Sequence, residues 1–192
     1  MELQHINVKL YLEDNRQLRA EDLVPVFHEW VQTQNCDELL IDVADYRHVH
    51  AGPSIVLVGY QADYSFDNGG NRLGIRYNRK TALPGSNRDR LNQALSAALK
   101  ACQRLESDSR LAGRLRFGRR NLRIFVNDRR LVPNIKETST ALEPELREFL
   151  TGVLGSRFEM AREPDPRELF GIEVRTASTI VVENVLQMLS AT

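Results

Sequence analysis

The sequence predicts an α+β fold, a mostly antiparallel sheet with helices packed on one face. Three observations carry this. Short stretches of period-2 hydrophobicity recur along the chain, stretches with 3.6-residue periodicity separate them, and compact Gly- and Asn-containing turns join neighbouring strands.

The elements follow in order. Ile6, Val8, Leu10 and Leu12 alternate with His5, Asn7, Lys9, Tyr11 and Glu13, the pattern of a half-buried first strand. A helix is expected over 20–34, where Leu23, Phe27, Trp30 and Val31 form one stripe and Pro25 falls in the first turn. Residues 38–45 read as a strand with Leu39, Ile41 and Val43 on one face. Residues 54–67 read as one long strand, with Val56, Val58, Tyr60, Ala62, Tyr64 and Phe66 on a single face. Asp67-Asn68-Gly69-Gly70 is a turn that tolerates positive φ, and Leu73, Ile75 and Tyr77 mark the returning strand. Ser86 or Asn87 caps a helix whose stripe is Leu91, Leu95, Ala98, Leu99, Cys102 and Leu105.

In the second half, 113–117 and 121–127 suggest a hairpin about Gly118-Arg119. A helical region spans 135–154, with Pro144 starting a new piece or kinking it and Gly155 ending it. Strands at 157–163 and 171–176 flank a Pro-Asp-Pro turn, and Ser178 caps a last helix. The order is βαβββα and then ββαββα. One domain, 1–192, is expected, with two similar βα halves at 1–110 and 111–192 as its internal division. The expected core includes Leu10, Phe27, Trp30, Ile41, Val58, Ile75, Leu95 and Ile124.

Composition narrows the class. With 42% hydrophobic and 27% charged residues and zero net charge, the chain is an ordinary globular one without bulk attraction to nucleic acid or membrane. Cys36 and Cys102 are expected as buried thiols rather than a disulfide framework. The first residues lack a basic start and an apolar run, and no apolar stretch reaches membrane-spanning length, so the cytoplasm is the expected compartment.

Reactive groups are densest in Asp42–Gly52, DVADYRHVHAG. His48 and His50 share a face if the strand runs through them, and two imidazoles beside a carboxylate can hold a transition metal or act as an acid–base pair. Asp45 is the nearest orienting carboxylate, Asp42 and Asp63 are further candidates, and Gly52 would let a ligand approach the backbone. His48, His50, Asp45 and Gly52 are thus the expected ligand contacts. No phosphate-loop or dinucleotide fingerprint, nucleophile elbow or His-Glu-x-x-His motif is present, so no cofactor is named.

Charge is segregated: residues 1–68 carry net −8, 69–130 net +12 and 131–192 net −4. The basic third is expected to be neutralised within the fold or across a dimer. A small anionic ligand is the expected outside partner, and tight nucleic-acid binding is not expected, because exposed aromatics for base stacking are lacking. The favoured reading is a non-enzymatic interaction or small-ligand-binding protein, a homodimer joined through a sheet edge or helix face. The alternative is a metal-dependent or acid–base enzyme using the His48/His50 loop.

Overall fold

A computed structural model describes residues 1–14, 18–49, 52–111 and 113–190. Strands β1 (Ile6–Asp14), β2 (Leu40–Asp45), β3 (Pro53–Gly59), β4 (Ala62–Asp67), β5 (Gly74–Arg79), β6 (Arg116–Val126), β7 (Phe158–Arg162) and β8 (Gly171–Thr176) form one antiparallel sheet, ordered β2-β3-β4-β5-β1-β6-β8-β7. Helices α1 (Val24–Thr33), α2 (Asn87–Ser107), α3 (Lys136–Leu154) and α4 (Val182–Ser190) complete the α+β fold. Among the described residues no helix is long and apolar enough to cross a membrane.

β1 lies in the middle of the sheet although it comes first in the chain. Its register against β5 aligns Val8 with Tyr77 and Leu10 with Ile75, and against β6 aligns Val8 with Ile124 and Leu10 with Leu122. These apolar residues share one face because strand side chains alternate. α2 packs across that face on β1, β5 and β6. Ser86 caps α2 as expected: its hydroxyl accepts the Asp89 N–H at 3.2 Å, and Asp89 Oδ2 accepts the Ser86 N–H at 2.7 Å. Leu91, Leu95, Ala98, Leu99, Cys102 and Leu105 are all buried beneath it.

Under α1 lies an aromatic cluster. Trp30 stands 5.6 Å from Phe27 and 6.4 Å from Tyr64, and Tyr64 stands 5.2 Å from Tyr77, centroid to centroid. This cluster surrounds the buried carboxylate of Glu38, for which no ion pair is formed among the described residues. Instead Tyr64 Oη donates to it at 2.7 Å, Tyr77 Oη at 2.9 Å and Gln93 Nε2 at 3.1 Å. Burial and the adjacent carboxylate push both tyrosine hydroxyls well above their usual pKa.

The opposite face of the sheet is polar, yet much of it is withdrawn from water. Lys9 Nζ lies 2.5 Å from Asp67 Oδ1 and donates to the Gly69 carbonyl at 3.0 Å, with both side chains buried. Burial holds the Lys9 ammonium below its usual pKa, Asp67 opposes this, and Arg123 and Arg76 add to the lowering. Arg76 donates through Nε to Asn7 Oδ1 at 2.8 Å. Arg76 and Arg123 both lie over the Phe125 ring, 5.0 and 5.2 Å from its centroid. Tyr11 donates to Glu173 while the Arg72 guanidinium stacks on its ring at 3.4 Å.

Several sequence expectations are corrected. Residues 54–67 form two strands rather than one. The chain reverses at Tyr60-Gln61, and a Cβ on Gly59 would collide with the Ala62 carbonyl, so glycine is required there. The expected hairpin at Gly118-Arg119 is replaced by continuous β6, which absorbs the irregularity as register shifts against β1 between Leu10 and Asp14. The element order is therefore βαββββα and then βαββα. Pro144 lies inside α3 instead of starting a new helix, and α4 begins at Val182, beyond Ser178.

Two expected core residues also move. Ile41 is 53% exposed and Val58 only half-buried, while Leu40 is buried. A bulge between Leu40 and Asp42 shifts the register against β3, so the apparent alternation of Leu39, Ile41 and Val43 is broken. The rest of that expected core is buried. The chain does turn after Asp67, through a short 3-10 segment over Gly69–Asn71; Gly70 takes φ 69°, but Asn68 stays at φ −108° and the second left-handed residue is Asn71, beyond the expected turn.

Replacing Phe27 or Trp30 with Ala should cost about 3–5 kcal/mol, since each side chain is buried in one packed cluster. A urea midpoint within error of the parent would refute that packing. Glu38→Gln should cost about 1–3 kcal/mol, because one of three donors then faces an N–H instead of an oxygen. Tyr77→Phe in the Glu38→Gln background should add less than it does alone, and full additivity would show that the two groups do not share a network.

Candidate functional site

The segment singled out by its reactive groups is the connection from β2 to β3. Backbone bonds shape it: Tyr46 N–H donates to Ser54 O at 2.7 Å, and Val49 N–H donates to Tyr46 O at 2.8 Å. Gly52 O accepts the Asn68 N–H at 3.0 Å, tying this loop to the β4–β5 turn.

Asp45 points at arginine rather than histidine. Its carboxylate accepts from Arg47 Nε at 3.0 and 2.9 Å, from Arg47 Nη2 at 2.6 Å and from the Arg47 backbone N–H at 3.0 Å. Arg47 Nη1 also reaches Glu21 Oε2 at 3.0 Å. These bonds hold the Asp45 carboxyl down at about 2, with His48 contributing only a minor attraction. His48 is exposed, its ring 6.2 Å from that of Tyr46. Gly52 lies in the loop beside Val49, and His50 lies outside the described residues. Asp63 is engaged by Lys80 at 2.7 Å and accepts the Gly59 N–H at 3.2 Å, and Asp42 Oδ1 accepts the Val43 N–H at 2.7 Å. The structure thus gathers Asp45, Arg47 and Glu21. Among the described residues no group of three or more His, Cys, Asp or Glu side chains is placed to hold a metal ion.

Around this loop lies a surface that the sequence reading missed. Leu39, Ile41, Tyr46, Val49 and Tyr60 are all exposed, and all sit on β2 or beside its ends. Tyr60 is the most open of them at 63%, and its N–H donates to the Leu39 carbonyl at 2.8 Å. β2 is a terminal strand of the sheet, so these side chains rim an edge. Gln34 partly covers that edge. Its amide accepts the Leu40 N–H at 3.0 Å and donates to the Leu40 O at 2.8 Å, imitating a ladder rung. The available signal in the sequence was the density of large apolar residues in 39–49.

Ion pairs within the fold engage part of the basic third of the chain. Arg114 pairs with Asp22 at 2.8 Å, Arg110 with Glu29 at 2.5 Å, Lys100 with Asp37 at 3.0 Å and Arg90 with Glu2 at 2.8 Å. On the other side Arg123 reaches Glu163 at 3.0 Å and Arg72 reaches Glu173 at 3.2 Å. Neither thiol is poised for nucleophilic chemistry. Cys102 is buried and its pKa raised, and burial pushes Cys36 up to about 11 despite the Arg104 Nη1 contact at 3.2 Å.

The Asp45–Arg47 clasp has a pH signature. A carboxyl whose folded pKa is depressed stabilises the fold above its unfolded pKa, and that contribution is lost as pH falls through about 2. NMR titration of Asp45 should give a midpoint near 2, and Arg47→Ala should bring it back towards the usual carboxylate value of 3.8. An unchanged midpoint in the variant would assign the shift to another group. No protein-family model matches the chain, and no curated protein matches it significantly.

Proposed function

We propose that this chain acts as an interaction protein, assembling with a second copy of itself through the β2 edge and its flanking loops. The observation that supports this is the concentration of exposed large apolar side chains there: Leu39, Ile41 and Tyr60 at one end of β2, Tyr46 and Val49 at the other. Single exposed apolar residues are ordinary on a protein surface, whereas several gathered along one strand edge favour an interface.

The occupant follows from strand geometry and charge. An antiparallel two-fold across β2 makes an isologous contact, in which each copy offers the same patch. It sets the Arg47 end of one strand against the Asp37 end of the other; Arg47 is already clasped by Asp45 and Glu21 and Asp37 by Lys100, so the two ends meet as neutralised pairs and the apolar side chains carry the contact. Gln34 and Asp42 already occupy backbone groups at Leu40 and Val43, so side-chain burial rather than a continuous ladder supplies most of the contact. In this reading the His48 loop is part of the rim of the interface, and His48 is a contact to the neighbouring copy.

Sedimentation equilibrium measures this directly. The parent should sediment at twice 21.9 kDa, and Ile41→Asp combined with Tyr60→Asp should sediment at 21.9 kDa. Because both positions are exposed within one copy, the double variant should remain folded as a monomer, with the parent's circular dichroism spectrum. A parent that stays at 21.9 kDa over the accessible concentration range would overturn the proposal.

A further inference from the structure

The side chain that covers the β2 edge leaves the backbone at an unusual place. Helix α1 ends on Gln34, which takes φ 48° and ψ 46°, a left-handed conformation usually given to glycine at a helix end. A longer side chain is strained there, yet the amide of Gln34 is engaged on both its nitrogen and its oxygen. Nε2 donates to the Val31 carbonyl at 2.7 Å and to the Leu40 carbonyl at 2.8 Å, and Oε1 accepts the Leu40 N–H at 3.0 Å.

The two bonds to Leu40 are those a neighbouring strand would make. In an antiparallel ladder a residue exchanges both its N–H and its C=O with the residue opposite. A primary amide offers a donor and an acceptor side by side, so Gln34 stands in for one residue of a further strand. The next outward N–H is covered as well. Tyr46 N–H points to Ser54 on β3, and backbone groups alternate sides along a strand. Val43 N–H therefore turns to the open side, where Asp42 Oδ1 accepts it at 2.7 Å.

The backbone beneath the Gln34 amide is fixed. Glu38 is buried and takes three side-chain bonds. Leu39 N–H donates to Gln61 Oε1 at 2.9 Å, and the Leu39 carbonyl accepts the Tyr60 N–H at 2.8 Å. Leu40 is buried, which keeps its backbone at the edge. Gln34, by contrast, is exposed, so its amide exchanges protein partners for water when it swings out. That movement leaves the Leu40 N–H and C=O bare at a sheet edge, the template for adding another strand.

We propose that the Gln34 amide is a removable plug: it bars strand addition at β2 and, when it swings aside, lets β2 pair backbone to backbone with β2 of a second copy. The partner rests on the assembly proposed above, in which the same edge meets its own copy. With the plug in place, side chains carry the contact between copies. With it withdrawn, each Leu40 gains a backbone partner and the two sheets become one. The plug also keeps the free edge from pairing with unrelated extended chains.

The test uses the full chain with Gln34→Gly, which removes the amide and accepts the left-handed backbone without strain, so the fold is kept. Sedimentation velocity over a concentration series should show self-association at least about tenfold tighter than the parent's and ending at two copies, as expected for added backbone hydrogen bonds. Amide hydrogen exchange at Leu40 is the second readout. In the parent this amide should be protected at every concentration, by the protein's own Gln34. In Gln34→Gly it should lose protection when dilute and regain it when concentrated. Gln34→Asn tolerates the same backbone but is one methylene too short, so it should behave as the glycine variant does. A parent that stays monomeric while Gln34→Gly associates with Leu40 protected would remove the assembly reading and keep the plug. An association constant equal to the parent's, with Leu40 unprotected at all concentrations, would overturn the plug. So would a Gln34→Asn protein indistinguishable from the parent, or growth into open filaments, which would mean that β2 pairs with a different edge.

Discussion

The strand that everything else depends on is β1, because it is buried on both faces. One face carries Ile6, Val8 and Leu10 beneath α2, and the other carries Asn7, Lys9 and Tyr11. A buried ammonium is costly unless it is paired and hydrogen-bonded. Lys9 meets that demand with Asp67 and the Gly69 carbonyl, which come from a segment 58 to 60 residues away. Tyr11 meets it with Glu173, 162 residues away. The polar face of one strand therefore joins the two halves of the chain, and removal of one partner would leave a buried charge or hydroxyl unmatched.

This arrangement sets where binding can occur. The apolar face is filled by helices, and the middle of the polar face is closed by its own ion pairs. What remains open is the perimeter, where an edge strand carries apolar side chains. Rigid strands ending in short connections are suited to holding side chains in place while leaving them in contact with solvent. The β2 edge is of this kind, rimmed by Leu39, Ile41 and Tyr60.

Much of the fold was legible where a signal is local. Ser86 and Asp89 are three residues apart, so a capping box can be read directly, and the stripe of α2 is one helix face repeated over about four turns. Phe27 and Trp30 share the stripe of α1, and the Gly-Gly pair marks the reversal after β4, where Gly70 takes a positive φ. The failures have a common cause. The bulge in β2 and the shifts in β6 are changes of register, where a one-residue slip sends every later side chain to the other face, and at Tyr60 the chain reverses outright. Alternation read by eye continues through such points. Ile41 and Tyr60 were therefore assigned inward, and the site reading settled on the histidines instead of on the apolar residues beside them.

By itself, the sequence determined the α+β class, the helix caps and stripes, most core positions and the segregation of charge, because each depends on neighbours within about one helical turn or strand. Only the tertiary structure decided that β1 occupies the centre of the sheet and that Asp45 clasps Arg47 in preference to His48. It also decided that Arg114 and Arg110 find Asp22 and Glu29. Those outcomes depend on which strands lie side by side. Pairing between distant strands is set by how all the hydrophobic faces can be buried at once, a condition on the whole chain that no window of it contains.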